Sequence, residues 1–309
     1  MKQTGKWTTQ DMPSQAGRTV IVTGASSGIG FVAARELAGK GAHVVLAVRN
    51  TEKGENAMQR IRGEYPDARL EMRELDLADL ASIERFASEF RGTHERLDLL
   101  INNAGVMVPP YTRTADGFEL QMGVNHLGHF ALTGHLLDLL RSTAESRVVT
   151  VSSGAHKMGR PDLEDLHWER RSYRKWQAYG DSKIANLHFT FELQRRLAEE
   201  GAPTIAVAAH PGVAMTELQR HSSFLEWSSR LIAHDVEQAA LPTLRAATES
   251  SVRGGEYFGP DGFLEMSGSP VRVQPIQRAQ DEEVARRLWE RSTELTDVHY
   301  ERHAARSAA

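Results

Sequence analysis

Tyr179 and Lys183 stand four residues apart inside a helix-patterned stretch, Trp176–Glu200. Positions i and i+4 of a helix share one face, so phenol and ammonium are neighbours. A free tyrosine titrates near pH ~10, too high for acid–base work at neutrality, and a nearby positive charge favours its phenolate. The pair therefore has the makings of a general acid and base. A second chemistry-bearing segment lies far upstream. Thr23-Gly24-Ala25-Ser26-Ser27-Gly28-Ile29-Gly30 closes the apolar run Thr19–Thr23 and opens the amphipathic stretch Ile29–Lys40. A strand, a tight glycine turn and a helix N-terminus, in that order, make a phosphate cradle. Gly24 allows the turn, Gly28 admits a pyrophosphate close to backbone, and Gly30 lets the helix pack on the sheet. Free N–H groups around Ser26, Ser27, Gly28 and Ile29, with the positive end of the helix dipole, would hold the phosphates.

The end of the next apolar run bears on which nucleotide fits. A ribose 2′-hydroxyl calls for a carboxylate there, whereas a 2′-phosphate calls for a cation. The sequence reads Leu46-Ala47-Val48-Arg49-Asn50, with no acid at the strand end. Arg49 can meet a phosphate with a forked, charge-assisted contact, and Asn50 stands beside it. The expected cofactor is NADP(H); the competing reading of Arg49 is a solvated surface arginine.

Positioning these groups requires a regular scaffold. Apolar β-rich runs at Thr19–Thr23, His43–Val48, Leu70–Leu75, Leu97–Ile101, Arg147–Val151, Thr204–Ala208 and Glu256–Phe258 alternate with helical patterns. The helical stretches are Ile29–Lys40, Thr51–Gly63, Leu80–Phe90, Gly117–Leu140, Trp176–Glu200 and Val236–Thr248, the last with Asp235 as N-cap, and a charged amphipathic helix follows at Ala279–Glu294. The alternation predicts an α/β fold, a doubly wound parallel sheet of Rossmann type in a single domain. Residues 1–17 read as an N-terminal extension, 18–275 as the dinucleotide-binding catalytic domain, and 276–309 as a C-terminal helix and tail. Two connections, Gly154–Lys175 and Gly212–His234, are longer than compact loops usually are and leave carboxyl ends of strands, where ligands bind. The second carries Met215, Leu218, Phe224, Leu225, Trp227, Leu231 and Ile232 and is expected to be a lid over an apolar substrate. The alternative is that these side chains pack on the domain or on a second subunit, which leaves a homo-oligomer open.

Composition narrows the function classes. With 41 acidic against 37 basic residues the formal net charge is -4, without the basic excess of a nucleic-acid binder. Cysteine is absent, which removes disulfides, thiolate metal sites and a cysteine nucleophile. The 13 histidines are scattered and form no HExxH pair. His126, His129 and His156, close to the motifs below, read as packing residues. Trp168, Trp176 and Trp227 could line a pocket, although packing is the plainer reading. The opening residues lack the apolar core of a signal peptide, and no stretch approaches ~20 uninterrupted apolar residues. A cytoplasmic protein without a membrane anchor is expected.

The chain resembles the short-chain dehydrogenase/reductase family over nearly the whole span Arg18–Pro260. The matching motifs are Thr23–Gly30 (TGASSGIG), Asp76-Leu77, Asn102–Gly105 (NNAG), Asn125 in VNHLGHF, Ser152-Ser153, Tyr179-Gly-Asp-Ser-Lys183, and His210-Pro211-Gly212 with Thr216 following. The resemblance implies hydride transfer between a nicotinamide cofactor and an alcohol or carbonyl. Hydride delivered to a carbonyl leaves an alkoxide, so a proton must arrive as charge develops; Tyr179 would supply it, and the oxidised nicotinamide would join Lys183 in favouring phenolate. By the same resemblance Ser153, 26 positions before Tyr179, would donate to the substrate oxygen, and Lys183 would reach the ribose hydroxyls. Asn125 would hold a water linking Lys183 to solvent. Asp76, with Leu77, would meet the adenine; Asn102, Asn103, Ala104 and Gly105 the adenosine side; and Thr216 the carboxamide, with Pro211, Gly212 and Val213 completing the cofactor set. VNHLGHF, SSGAHK and AYGDSKIANLHFTFELQRRL are similar to the branch of retinol dehydrogenases and protochlorophyllide reductases, which favours NADP(H). Two alternatives stay open: an NADP(H)-binding sensor without turnover, and a reductase of C=C bonds.

Overall fold

Along the first strand Val20 and Val22 enter one apolar cluster and Ile21 enters another, and all three are fully buried. That alternation without a polar face is what a strand covered on both sides by helices requires. The computed structural model describes residues 6–212 and 236–301. Its strands are β1 (Thr19–Thr23), β2 (His43–Val48), β3 (Arg69–Glu74), β4 (Leu99–Asn102), β5 (Arg147–Val151), β6 (Ile205–Ala209), β7 (Tyr257–Pro260) and β8 (Pro270–Arg272). The helices are α1 (Gly28–Gly39), α2 (Thr51–Glu64), α3 (Leu80–Thr93), the single turn α4 (Leu120–Met122), α5 (Gly128–Ser142), α6 (Lys175–Glu199), α7 (Val236–Thr248) and α8 (Glu282–Thr296).

The strands form one eight-stranded sheet in the order β3-β2-β1-β4-β5-β6-β7-β8. All neighbours are parallel except β7 and β8. Helices α1, α2 and α7 bury Leu37, Ile61 and Leu244 on one face. On the other, α3, α5, α6 and α8 bury Phe86, Phe130, Phe189 and Trp289. Chain order reverses between β1 and β4, and the crevice beyond their carboxyl ends is where open α/β sheets bind ligands.

Three elements differ from the sequence expectation. The helix expected over Gly117–Leu140 begins at Leu120 and is interrupted by a π turn, Gly123–Leu127, before α5. Strand β8 was not signalled: three residues starting with a proline carry no periodicity. The last helix starts at Glu282, where the Asp281 side chain caps it by accepting from the Val284 N–H at 3.1 Å. Val213, Thr216, Trp227, the Asp235 cap and the lid beyond Gly212 lie outside the described residues. Among the described residues no helix is long and apolar enough to cross a membrane.

Candidate active site

Strand β5 ends at Val151, and the two serines that follow have different tasks. Ser152, fully buried, donates its hydroxyl to the Lys183 carbonyl at 2.7 Å and so fastens the strand end to α6. Ser153 is half-buried and caps the short 3-10 turn Gly154–Met158, its Oγ accepting from the Ala155 N–H at 3.2 Å. The Ser153 carbonyl accepts from His156 twice, from the backbone N–H at 3.0 Å and from Nδ1 at 2.7 Å. This turn lies directly on α6 because glycines meet there: a Cβ at Gly159 would stand 2.4 Å from the Gly180 carbonyl. The outcome is that Ser153 faces Tyr179, and the two side chains hydrogen-bond.

One turn further along α6, Lys183 is buried and donates to the Val151 carbonyl at 3.2 Å, which also accepts from Asn186 Nδ2 at 3.1 Å. Its Nζ lies 5.7 Å from the centre of the Tyr179 ring. Burial draws the Lys183 ammonium down to about 8. Burial also pushes the Tyr179 phenol up, with the Ser153 hydrogen bond acting in the opposite sense. The expected pull of the ammonium on the phenol is thus outweighed here by the loss of water around both groups.

The glycine turn has the shape of a cradle. Gly24 adopts φ +68°, and a Cβ at Gly30 would strike the Gly24 carbonyl at 2.4 Å and Asn103 Nδ2 at 2.5 Å. Neither position accepts a side chain, and Ser27 makes no side-chain cap for α1, whose first N–H groups have no partner within the helix. Asn103 donates its side chain to the Thr23 carbonyl at 2.8 Å, and the N–H groups of Asn103 and Ala104 both reach Thr23 Oγ1 at 2.9 Å. Asn102 is held by Thr133 at 3.0 Å, while Gly105 packs between Asn125 and Lys183. Arg49 and Asn50 are exposed at the end of β2, and Asn50 caps α2 by accepting from the Lys53 N–H at 2.8 Å. Asp76 accepts from the Ala78 N–H at 2.9 Å, and Leu77 is buried beside it. Pro211 and Gly212, the latter at φ +73°, lead off from β6.

Asn125 sits in the π turn, and its side chain is committed to protein partners. Its Oδ1 accepts from the Val106 N–H at 2.8 Å, and its Nδ2 donates to the Val106 carbonyl at 3.0 Å and to Ser182 Oγ at 2.9 Å. The π turn shifts backbone pairing, so the Asn125 carbonyl is left for a side chain: His129 Nδ1, at 3.1 Å. A carbonyl only accepts, so Nδ1 carries the proton and Nε2 accepts from the Thr23 hydroxyl at 2.9 Å. His129 thereby ties the nucleotide cradle to Asn125. Burial lowers it to about 4, so it is the neutral imidazole that makes this link. Read as a packing residue, it was missed as a connector; its place four residues after Asn125, on the same helical face, was the available signal.

An open cleft of about 600 Å³ lies at the start of α6, lined by Pro109, Pro110, Met158, Tyr173, Arg174, Lys175, Trp176 and Gln177. Tyr173 is fixed by donating to the buried Glu119 carboxylate at 2.8 Å, and Gln121 Nε2 donates to Tyr173 at 2.8 Å. Of the tryptophans expected near the substrate, Trp176 lines the cleft, whereas Trp168 is buried beneath Arg171 and edge-on to Tyr173.

Residues 18–224 match the short chain dehydrogenase family. The chain is 46% identical over 300 residues to retinol dehydrogenase 13 of Homo sapiens, covering 93% of this chain and 87% of that protein. It is 44% identical over 289 residues to retinol dehydrogenase 12 of Homo sapiens, covering 92% and 88%. Among solved structures, an uncharacterized protein of Mycobacterium paratuberculosis superimposes with a TM-score of 0.83 at 46% identity, covering 96% of this chain and all (100%) of that one. The Pseudomonas aeruginosa RhlG/NADP active-site complex gives a TM-score of 0.65 at 27% identity, covering 82% and 98%.

Proposed function

The chain belongs to the short-chain dehydrogenase family, and on that footing we propose that it is an NADP(H)-dependent oxidoreductase interconverting an apolar alcohol and its ketone or aldehyde. The observation that carries this reading is the convergence of Ser153, Tyr179 and Lys183 beyond the carboxyl end of β5, with a turn in the same chain where Gly24 and Gly30 leave no room for a side chain. The cradle fits a dinucleotide: Ser26, Ser27, Gly28 and Ile29 would bind its phosphates, Arg49 its 2′-phosphate, Asp76 its adenine, and Lys183 its ribose. When bound, the nicotinamide supplies or accepts the hydride. In the reducing direction Tyr179 gives its phenolic proton to the substrate oxygen while Ser153 donates a hydrogen bond to the same oxygen. Burial keeps the phenol protonated at neutral pH, which suits a proton donor. The apolar rim made by Pro109, Pro110, Met158 and Trp176 supports an apolar substrate, as do retinol dehydrogenases among the relatives.

The test is oxidation of NADPH and of NADH, measured against ketones, aldehydes and enones, for the parent and Tyr179→Phe. The expected result is turnover of apolar carbonyls with NADPH preferred. The Phe variant should lose at least ~10²-fold in turnover, with NADPH affinity within a few-fold. Retention of most activity by the Phe variant would remove Tyr179 from the role of acid, and exclusive turnover of enones would replace the carbonyl reading.

A further inference from the structure

At the edge of the sheet away from the catalytic group, three side chains from three elements converge. His43 is the first residue of β2, Glu71 projects from the middle of β3, and His94 closes α3. Glu71 Oε2 lies 3.3 Å from His94 Nε2 and 3.7 Å from His43 Nε2, and the three ligand atoms all fall within 4.8 Å of one another. The imidazoles face each other with centres 5.4 Å apart and planes 26° apart. We propose that His43, Glu71 and His94 form a binding site for a zinc-class divalent cation that joins β2, β3 and the end of α3.

The donor set and its supports argue for this class. Two imidazoles and one carboxylate oxygen suit zinc, cobalt or nickel, whereas magnesium and calcium take oxygen ligands. Bonds of about 2.0–2.1 Å in a tetrahedron place ligand atoms roughly 3.3 Å apart. The Glu71–His94 pair already has that separation, and His43 would close on it from 3.7 Å. The first ligands are oriented from behind. His94 Nδ1 lies 3.3 Å from the Phe90 carbonyl and 3.0 Å from Thr93 Oγ1. The carbonyl can only accept, so Nδ1 carries the proton and the Nε2 lone pair points at Glu71 Oε2. Two acceptors then face each other, and a positive centre must stand between them. His94 is further held flat on the Phe90 ring, with centres 4.2 Å apart. Arg73 binds Glu71 Oε1 and Thr93, which leaves Oε2 for the ion; Arg69 is turned away to the Gly41 carbonyl at 3.1 Å. The side chains are between 12% and 28% exposed, open enough for an ion to enter.

The test titrates the full-length chain with Co²⁺, followed by visible absorption, and with Zn²⁺, followed by thermal melting. The parent is compared with Glu71→Gln, His94→Gln and His43→Gln, each checked for native far-UV circular dichroism. One ion per parent chain is expected, bound at least about tenfold more tightly than by any variant. Zn²⁺ should raise the melting temperature of the parent and leave those of the variants unchanged. Equal binding by parent and variants would place the ion elsewhere on the chain and overturn the site. An unchanged parent melt up to millimolar Zn²⁺ would overturn it too, leaving a protonated imidazole as the positive centre.

Discussion

An ammonium buried beneath Tyr179, with the Val151 carbonyl 3.2 Å away, has lost most of its hydration, and burial holds Lys183 at about 8 against an ordinary 10.5. The unfolded chain therefore binds more protons than the folded one between those values. The sign follows: the penalty for burying the charge is complete below about pH 8 and disappears as pH climbs through the unfolded value, so this residue makes stability rise across that window. A group that destabilises the fold at neutrality is what the proposed role of Lys183 in chemistry calls for. Lys183→Met should accordingly be as stable as the parent at pH 7, or more stable by roughly 1–3 kcal/mol, while losing at least ~10²-fold in turnover. Denaturant melts and NADPH-dependent rates measured side by side check this; a variant that is both less stable and active would mean that Lys183 serves packing. Arg49 poses a simpler question. It is exposed at the end of β2, with no acid at Val48, and Arg49→Ala should weaken NADPH binding by about 1.5–3 kcal/mol while leaving NADH binding nearly unchanged. Cofactor titration gives both numbers, and equal losses for the two cofactors would deny Arg49 the 2′-phosphate.

Strands buried on both faces, and the amphipathic α7, were legible because the signal is local: the bounds read for β1, β2, β5 and α7 coincide with those observed. The glycine turn was equally legible: Gly24 and Gly30 leave no room for a side chain, and Gly24 and Gly28 adopt φ +68° and +57°. What failed depends on partners distant in sequence. The π turn at Gly123–Leu127 forms while the Asn125 side chain reaches the Val106 backbone and Ser182, and no periodicity announces that. Strand β8 exists because β7 offers an edge to it. The Ser, Tyr and Lys positions could be named from motifs, but the Thr23–His129–Asn125 link required coordinates. That link is testable at the scale of the elements it joins. His129→Leu fills similar space yet strands the Asn125 carbonyl and turns the Thr23 hydroxyl to the Ile101 carbonyl, its remaining acceptor at 3.3 Å, which should cost about 1–3 kcal/mol. Because Thr23 also orders Asn103 and Ala104, NADPH affinity should fall with it, whereas His129→Gln, which keeps a donor and an acceptor, should recover part of both. Loss of stability with cofactor affinity unchanged would mean that the link braces α5 alone.

Across the whole molecule, the C-terminal helix and the N-terminal residues complete the packing. Trp289 of α8 stacks on Phe189 of α6 and meets Phe130 of α5 edge-on, Arg196 covers its other side, and Trp7 and Met12 are buried against the opposite face. Closure of this kind leaves several histidines in dry surroundings. His126 is lowered by burial to about 3, and His129, His156 and His188 to about 4 each. Each is neutral in the fold and takes up a proton more readily when unfolded, so each contributes stability that is full above about pH 6.5 and is lost as pH falls toward 4. At pH 5 a histidine shifted from 6.5 to about 4 has given up on the order of 2 kcal/mol. Glu265, held near 2 mainly by His210, is lost in the same direction but at lower pH. Glu119 and Asp181 oppose the trend, because burial raises both carboxyls and protonating them favours the fold. The four histidines draw on the roughly 5–15 kcal/mol of stability expected for a domain as pH falls, with the two carboxyls acting against them. The chain should therefore unfold between about pH 4 and 5.5, with uptake of several protons per chain. Tryptophan fluorescence followed through an acid titration, with proton uptake measured alongside, checks the midpoint and the stoichiometry. His126→Phe, which leaves Ser292 Oγ donating to the Leu288 carbonyl at 2.8 Å, and His188→Leu should each move the midpoint to lower pH. A melting temperature that stays constant from pH 7 to pH 5 would show that these imidazoles hold their ordinary affinity for protons in the folded chain.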